Sequence, residues 1–65
     1  MDLWEYIYGY VRLTLKTGEV FTGDVLDVAS AEATGEREDS LSLEARPGVI
    51  YGFFQSEIKS IVLIN

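Results

Sequence analysis

This 65-residue chain has neither Cys nor His, so its chemistry rests on eleven Asp and Glu residues and five Lys and Arg residues. The usual nucleophile–base pairs are out of reach, and so are the commonest zinc ligands. Paired carboxylates remain as acid–base chemistry. Asp24 and Asp27 lie three apart in a stretch that reads as a strand. Alternation then sends them to opposite faces, as solvent-facing charges. Glu36, Glu38 and Asp39 cluster in a polar segment. Such a cluster can offer a weak calcium or magnesium contact, but a solvated loop is the plainer reading, because sites are better held on rigid elements. Gly18 and Gly23 have the glycine spacing of a phosphate loop, yet no Lys-Ser/Thr follows them. The expectation is a chain that is not an enzyme, with no catalytic residue, no metal and no cofactor.

Binding is the other chemistry these residue types offer. Arg12 and Lys16 fall on one face of an alternating run, and Trp4, Tyr6, Tyr8 and Tyr10 are near them in sequence. Cations interleaved with aromatics can hold single-stranded RNA, each stacked base contributing about 1–3 kcal/mol. Against that, Arg and Lys on a strand are ordinary surface residues, and aromatics in a small barrel are ordinarily core. Phe54 sits at a turn, where it either stacks a base or packs on a neighbour; packing is the favoured reading. The net charge of −6 repels phosphate at long range. An acidic surface repeated around an oligomer would instead attract a basic protein partner, steering it more than holding it. Solubility is the plain alternative.

The elements that must position these residues follow from periodicity. Val11, Leu13 and Leu15 alternate with Arg12, Thr14 and Lys16, which predicts a strand over residues 10–17 with one buried face. Thr17-Gly18 supplies a turn. A second strand runs over 19–30, and Gly23 inside it predicts a bulge or bend. Residues 31–39 hold no large apolar side chain and read as a solvated, mobile loop. Residues 40–46 alternate again; Pro47-Gly48 turns the chain into 49–54; Gln55-Ser56-Glu57 breaks it before a last strand over 58–64. Ahead of all these, Asp2 with Glu5 forms a capping-box pattern, and the pairs Leu3/Ile7 and Trp4/Tyr8 are four apart. These predict a short helix over 2–8 ending at Gly9; a strand leading into Tyr10 is the competing reading.

One domain is the most that this length allows, and a chain so small buries only about 60% of its unfolded surface. Without disulfides or zinc, a partner subunit is the remaining way to add stability. The last two strands point the same way. Val49, Tyr51 and Phe53 share one face, while Ile50 and Phe54 fall on the other; Ile61 and Leu63 share a face, with Val62 and Ile64 opposite. Strands apolar on both faces are usually covered on both, here by the N-terminal helix, by a neighbouring subunit, or by both. Residues 49–54 also lack the charge or proline that blunts an edge strand. The expected interface residues are Ile50, Gly52, Phe54, Val62 and Ile64. The N-terminal residues lack the pattern of a signal peptide, and no apolar run is long enough for a membrane helix. The expectation is a cytoplasmic protein that does not enter membranes.

The order of short helix and five strands, with a bent second strand, resembles the Sm-like (LSm) family. Val11-x-Leu13-x-Leu15-Lys16-x-Gly18 followed by Gly23-x-Val25 resembles the first Sm motif. Val49-Ile50-Tyr51 with Ile58-x-x-Ile61-x-Leu63 resembles the second, so the likeness spans residues 10–64. Ala29-Ser30-Ala31, the acidic loop and residues 56–61 are similar to small bacterial Sm-like proteins. The resemblance implies an all-β fold: a five-stranded, strongly bent, SH3-like small barrel with a short N-terminal helix. It also implies a homo-oligomeric ring in which strand four of one subunit pairs with strand five of the next. RNA is the partner it implies. Family members that bind RNA carry Asp and Asn after strand two and Arg-Gly between strands four and five. The matching places here hold Ala29, Ala33 and Phe54-Gln55. The expected RNA-contacting residues are therefore only Arg12, Lys16, Phe54 and Gln55, with no uridine pocket of the usual kind. A module that meets a basic protein through its acidic surface is the alternative.

Overall fold

Alternating side chains become one five-stranded antiparallel sheet in a computed structural model, which describes residues 1–64. The strands are β1 (Tyr10–Leu15), β2 (Val20–Ala29), β3 (Ser40–Arg46), β4 (Val49–Phe54) and β5 (Ile58–Leu63). Their order across the sheet is β4-β3-β2-β1-β5. The strands end within about two residues of where the alternation stops. Gly18, with φ of 98°, makes the β1–β2 turn, and its N–H donates to the Leu15 carbonyl at 2.9 Å.

The inner face follows the expected register. Val11, Leu13 and Leu15 of β1 pack with Val25 and Val28 of β2, Leu41 and Leu43 of β3, Phe53 of β4, and Ile58 and Ile61 of β5. Leu3 caps this core from the N-terminal segment and is 1% exposed. Phe21, Tyr51 and Phe53 form an aromatic group, Phe21 lying 5.0 Å from each of the other two rings. Phe21 is on β2 and the other two are on β4, so the sheet curls until strands that are not neighbours touch. It does not close: β4 pairs only with β3, and β5 only with β1.

Four expectations need correction. The N-terminal helix over 2–8 is only one 3-10 turn, Leu3–Tyr6. Asp2 caps it through the Trp4 N–H, but Tyr8 already has a φ of 64°, in the left-handed region. The Tyr8 N–H donates to the Val25 carbonyl and the Val25 N–H donates to the Gly9 carbonyl, each at 2.9 Å. Pairing with β2 therefore wins over continued helix. Of the bulge or bend expected at Gly23, the bulge lies instead between Val25 and Asp27. Gly23 keeps its pairing with Val11 and is needed for close approach, since a Cβ there would overlap the Glu44 carbonyl.

The extra residue, Leu26, shifts the alternation, so that Asp24 opposes Glu44 and Asp27 opposes Ser42. Asp24 and Asp27 thus share the outer face, against simple alternation. Finally, residues 31–39 are not a free loop. They hold a short helix, α1 (Ala31–Thr34), capped by the Ser30 hydroxyl and ended by Gly35 at φ of 77°. Beyond α1, Glu38 accepts from both the N–H and the hydroxyl of Ser56, and the Gln55 N–H donates to the Asp39 carbonyl at 2.9 Å.

Candidate functional site

The features that could engage a partner lie on the outer face and at the two free edges. On β4, Ile50, Gly52 and Phe54 point outward, opposite Glu44, Ser42 and Ser40 of β3. On β5, Ser60 and Val62 point outward, opposite Thr14 and Arg12 of β1. Ile64 continues that row, its N–H donating to the Tyr10 carbonyl at 2.9 Å. All five residues expected at an interface are exposed in the single chain: Ile50, Gly52, Phe54, Val62 and Ile64. The N-terminal turn does not cover them; it closes the core around Leu3 instead.

Among the described residues, twelve large hydrophobic side chains are exposed, against eleven in the buried core. Six of the exposed ones (Ile50, Tyr51, Phe54, Val62, Leu63 and Ile64) are on or directly after β4 and β5. Scattered exposed apolar residues are normal. Here they are concentrated on the two strands whose outer N–H and C=O groups have no strand partner, and neither edge is blunted by proline.

Over the β3–β4 ladder, beside α1, lies a groove of about 330 Å³. Ser40, Ser42, Gly52, Phe54, Glu36 and Glu57 are among the residues that line it. Gly52 adds no side chain to this lining. It has no positive φ, and a Cβ placed on it would meet nothing within 4 Å. Neither backbone conformation nor crowding within the chain calls for glycine there. Glu57 holds its end of the groove by accepting the Phe54 N–H at 2.9 Å. The carboxylates continue along the outer face through Glu44, Asp24 and Asp27.

Of the four residues expected to contact RNA, Lys16, Phe54 and Gln55 lie around the 3-10 turn Gln55–Glu57, and Arg12 stands apart on β1. Arg12 is exposed on β1 between Thr22 and Val62. Lys16 is exposed, with its N–H bound to the Glu57 carbonyl at 2.9 Å, so it lies beside the 3-10 turn Gln55–Glu57. Phe54 belongs to the groove, on the far side of the sheet order from Arg12. The Gln55 amide is spent on the Met1 carbonyl at 2.9 Å. Trp4, Tyr8 and Tyr10 are exposed, while Tyr6 packs against the core. The acidic cluster does not converge either: Glu38 binds Ser56 and Asp39 accepts the Ala31 N–H at 2.8 Å. Set against family models, curated proteins and solved structures, the chain matches none of them. No helix among the described residues is long and apolar enough to cross a membrane.

Sequence reasoning missed the groove. Its lining comes from three separated segments, and the only local sign of it was a glycine in the middle of an apolar strand. It also missed the carboxylate caps, because Glu38 and Ser56 are 18 residues apart.

Proposed function

We propose that the chain is a subunit of a homo-oligomeric, non-enzymatic Sm-like binding module, in which β4 of one copy pairs with β5 of the next. One observation carries the reading: both edges of the sheet are unpaired, and both are rich in exposed apolar side chains. A head-to-tail contact of this kind joins two different patches, and it closes into a ring when the rotation between copies allows. The bent five-stranded sheet and the glycine and apolar skeleton support the Sm-like small-barrel assignment.

By that resemblance the bound partner is RNA, met by Arg12, Lys16 and Phe54 repeated around the assembly rather than by a uridine pocket. A second reading has its own support. Asp24, Asp27, Glu36, Glu44 and Glu57 lie on the outer face or line the groove, which favours a basic protein partner. Light scattering on a sizing column tests the assembly, and a stable monomer at every concentration refutes it. Labelled oligo-U and oligo-A titrated at low salt separate the two ligands, because phosphate contacts are strongest there. Absence of binding under those conditions removes RNA, and a lysine-rich peptide then tests the second reading.

A further inference from the structure

In the groove over the β3–β4 ladder, carboxylates and an aromatic ring share one partly enclosed space, since Glu36, Glu57 and Phe54 all line it. We propose that it is a binding site for an arginine side chain of a basic protein, the guanidinium lying against the Phe54 ring and donating to Glu36 and Glu57. The proposal rests on the basic-partner reading above and says which side chain of that partner is bound, and where.

A clasp joins the two walls of the groove. Thr34 and Glu36 come from the segment that holds α1, and Phe54 and Glu57 from the end of β4 and the turn after it. Between these walls, Glu38 accepts from the N–H and the hydroxyl of Ser56, and the Gln55 N–H donates to the Asp39 carbonyl at 2.9 Å. A ligand therefore need not order the walls as it binds. Glu57 is held further, because one of its oxygens accepts the Phe54 N–H at 2.9 Å. That bond keeps a carboxylate close to Phe54 and leaves its second oxygen for a donor. Gly52 precedes Phe54 by two residues in the outward row and puts no side chain next to it, and Phe54 stays 39% exposed.

Charge selects the ligand. No Lys or Arg lines the groove; Lys16, beside the Gln55–Glu57 turn, and Arg37, next to Glu36, are both outside it. Both carboxylates would repel an anion. An apolar guest would cover them without replacing the water they lose. A metal ion lacks ligands, since no group of three acidic side chains converges among the described residues. An organic cation satisfies the carboxylates and the ring together. Of the protein cations, guanidinium is the better match: it is planar, it stacks on aromatic faces, and its fork of N–H donors suits carboxylates. The volume of about 330 Å³ is at the small end for ligand pockets and suits one side chain.

Fluorescence anisotropy at low salt tests this with labelled peptides that alternate Ala with Arg, with Lys or with citrulline, which keeps the shape of arginine without its charge. The Arg peptide should bind about fivefold more tightly than the Lys peptide, through the ring contact and the paired hydrogen bonds. The citrulline peptide should not bind. Phe54→Leu should remove the preference for Arg over Lys and leave the charge-driven binding. Gly52→Val should remove it too, by filling the space beside Phe54, while circular dichroism stays native because the new side chain starts in open space. Glu36→Gln and Glu57→Gln should each weaken the Arg peptide by about fivefold. Asp27→Asn, on the outer face but outside the lining, should leave the preference unchanged. Equal binding of the Arg and Lys peptides, with Asp27→Asn as damaging as Glu57→Gln, overturns the arginine site and leaves the basic-partner reading standing. A preference for Arg that survives both Phe54→Leu and Gly52→Val overturns the groove as its source. Binding of neither peptide overturns both readings. Binding of oligo-U or oligo-A that is lost in Gly52→Val gives the groove to RNA and overturns the arginine assignment.

Discussion

Replacing Gly23 and Gly52 separately by Ala should shift stability in opposite directions. Neither has a positive φ, so backbone conformation alone would let Ala stabilise either site by about 0.4–1 kcal/mol through the unfolded chain. Surroundings decide the sign. At Gly52 no atom lies within 4 Å of the new Cβ, and the small gain should appear. At Gly23 the Cβ would overlap the Glu44 carbonyl and press on the Ala45 Cα, both backbone. Backbone cannot swing aside as a side chain can, so β2 and β3 must separate at the point where the sheet curls. Overpacking costs about 1–3 kcal/mol where side chains can adjust; with backbone as the obstacle, the upper end applies.

A 65-residue domain has roughly 3–10 kcal/mol of total stability. A loss of about 3 kcal/mol therefore lowers Tm by roughly 12–24 °C and leaves Gly23→Ala partly unfolded at room temperature if the parent is at the low end. Urea unfolding followed by circular dichroism, at concentrations low enough to keep the chain monomeric, gives both midpoints. A Gly23→Ala midpoint equal to or above wild type would refute the close-approach explanation and return Gly23 to the role of a simple bend. A loss at Gly52→Ala in the monomer would show that Gly52 is needed within the single chain, against the open space found around it.

Other substitutions separate core, tie and edge. Phe53→Ala and Ile61→Ala remove side chains that are 6% and 8% exposed; each should cost about 2–5 kcal/mol, and a native circular dichroism melt in either would contradict the core assignment. Glu38→Ala breaks two hydrogen bonds to Ser56 and should cost about 1 kcal/mol, with faster amide exchange at Ser56 as the local readout; unchanged exchange would count against the tie. Ile50→Asp places a charge on a side chain that is 56% exposed in the single chain. Monomer stability should then change by no more than about 0.5 kcal/mol. Association should weaken by about 100-fold or more, since a lost apolar contact and a desolvated carboxylate act together. An unchanged sedimentation profile would remove Ile50 from the interface.

Much of the fold was legible because the strands alternate. The pattern Val11, Leu13, Leu15 states its own buried face, and Pro47-Gly48 and Thr17-Gly18 mark where the chain must turn. Wherever a one-residue shift or a distant contact decided the outcome, alternation misled. Leu26 carries no local mark of a bulge, yet it moves Asp27 onto the face of Asp24. Trp4 and Tyr8 have helical spacing, but the Tyr8 N–H is taken by the Val25 carbonyl, and helix formation stops. Residues 31–39 look free because nothing large and apolar anchors them. Their anchors are polar: a Ser30 cap at one end and Ser56 and Gln55 at the other. Of the candidate site, the exposed row on β4 and β5 was readable from two-sided apolarity. The groove was not, since its lining is gathered from segments far apart in the chain.

The acidic balance itself now has a more specific meaning. Five of the eleven carboxylates accept a backbone N–H: Asp2 from Trp4, Glu38 from Ser56, Asp39 from Ala31, Glu44 from Gly48 and Glu57 from Phe54. Each satisfies a donor at a turn or helix end that the sheet ladder cannot reach. Charge-assisted bonds of this kind are about twice as strong as neutral ones, a useful property in a chain with so small a core. The long-range field stays acidic, because a hydrogen-bonded carboxylate keeps its charge. At short range, however, six carboxylates remain outside these caps against five cations. Net charge thus describes the field at long range, while the carboxylate caps describe what much of that charge does within the chain.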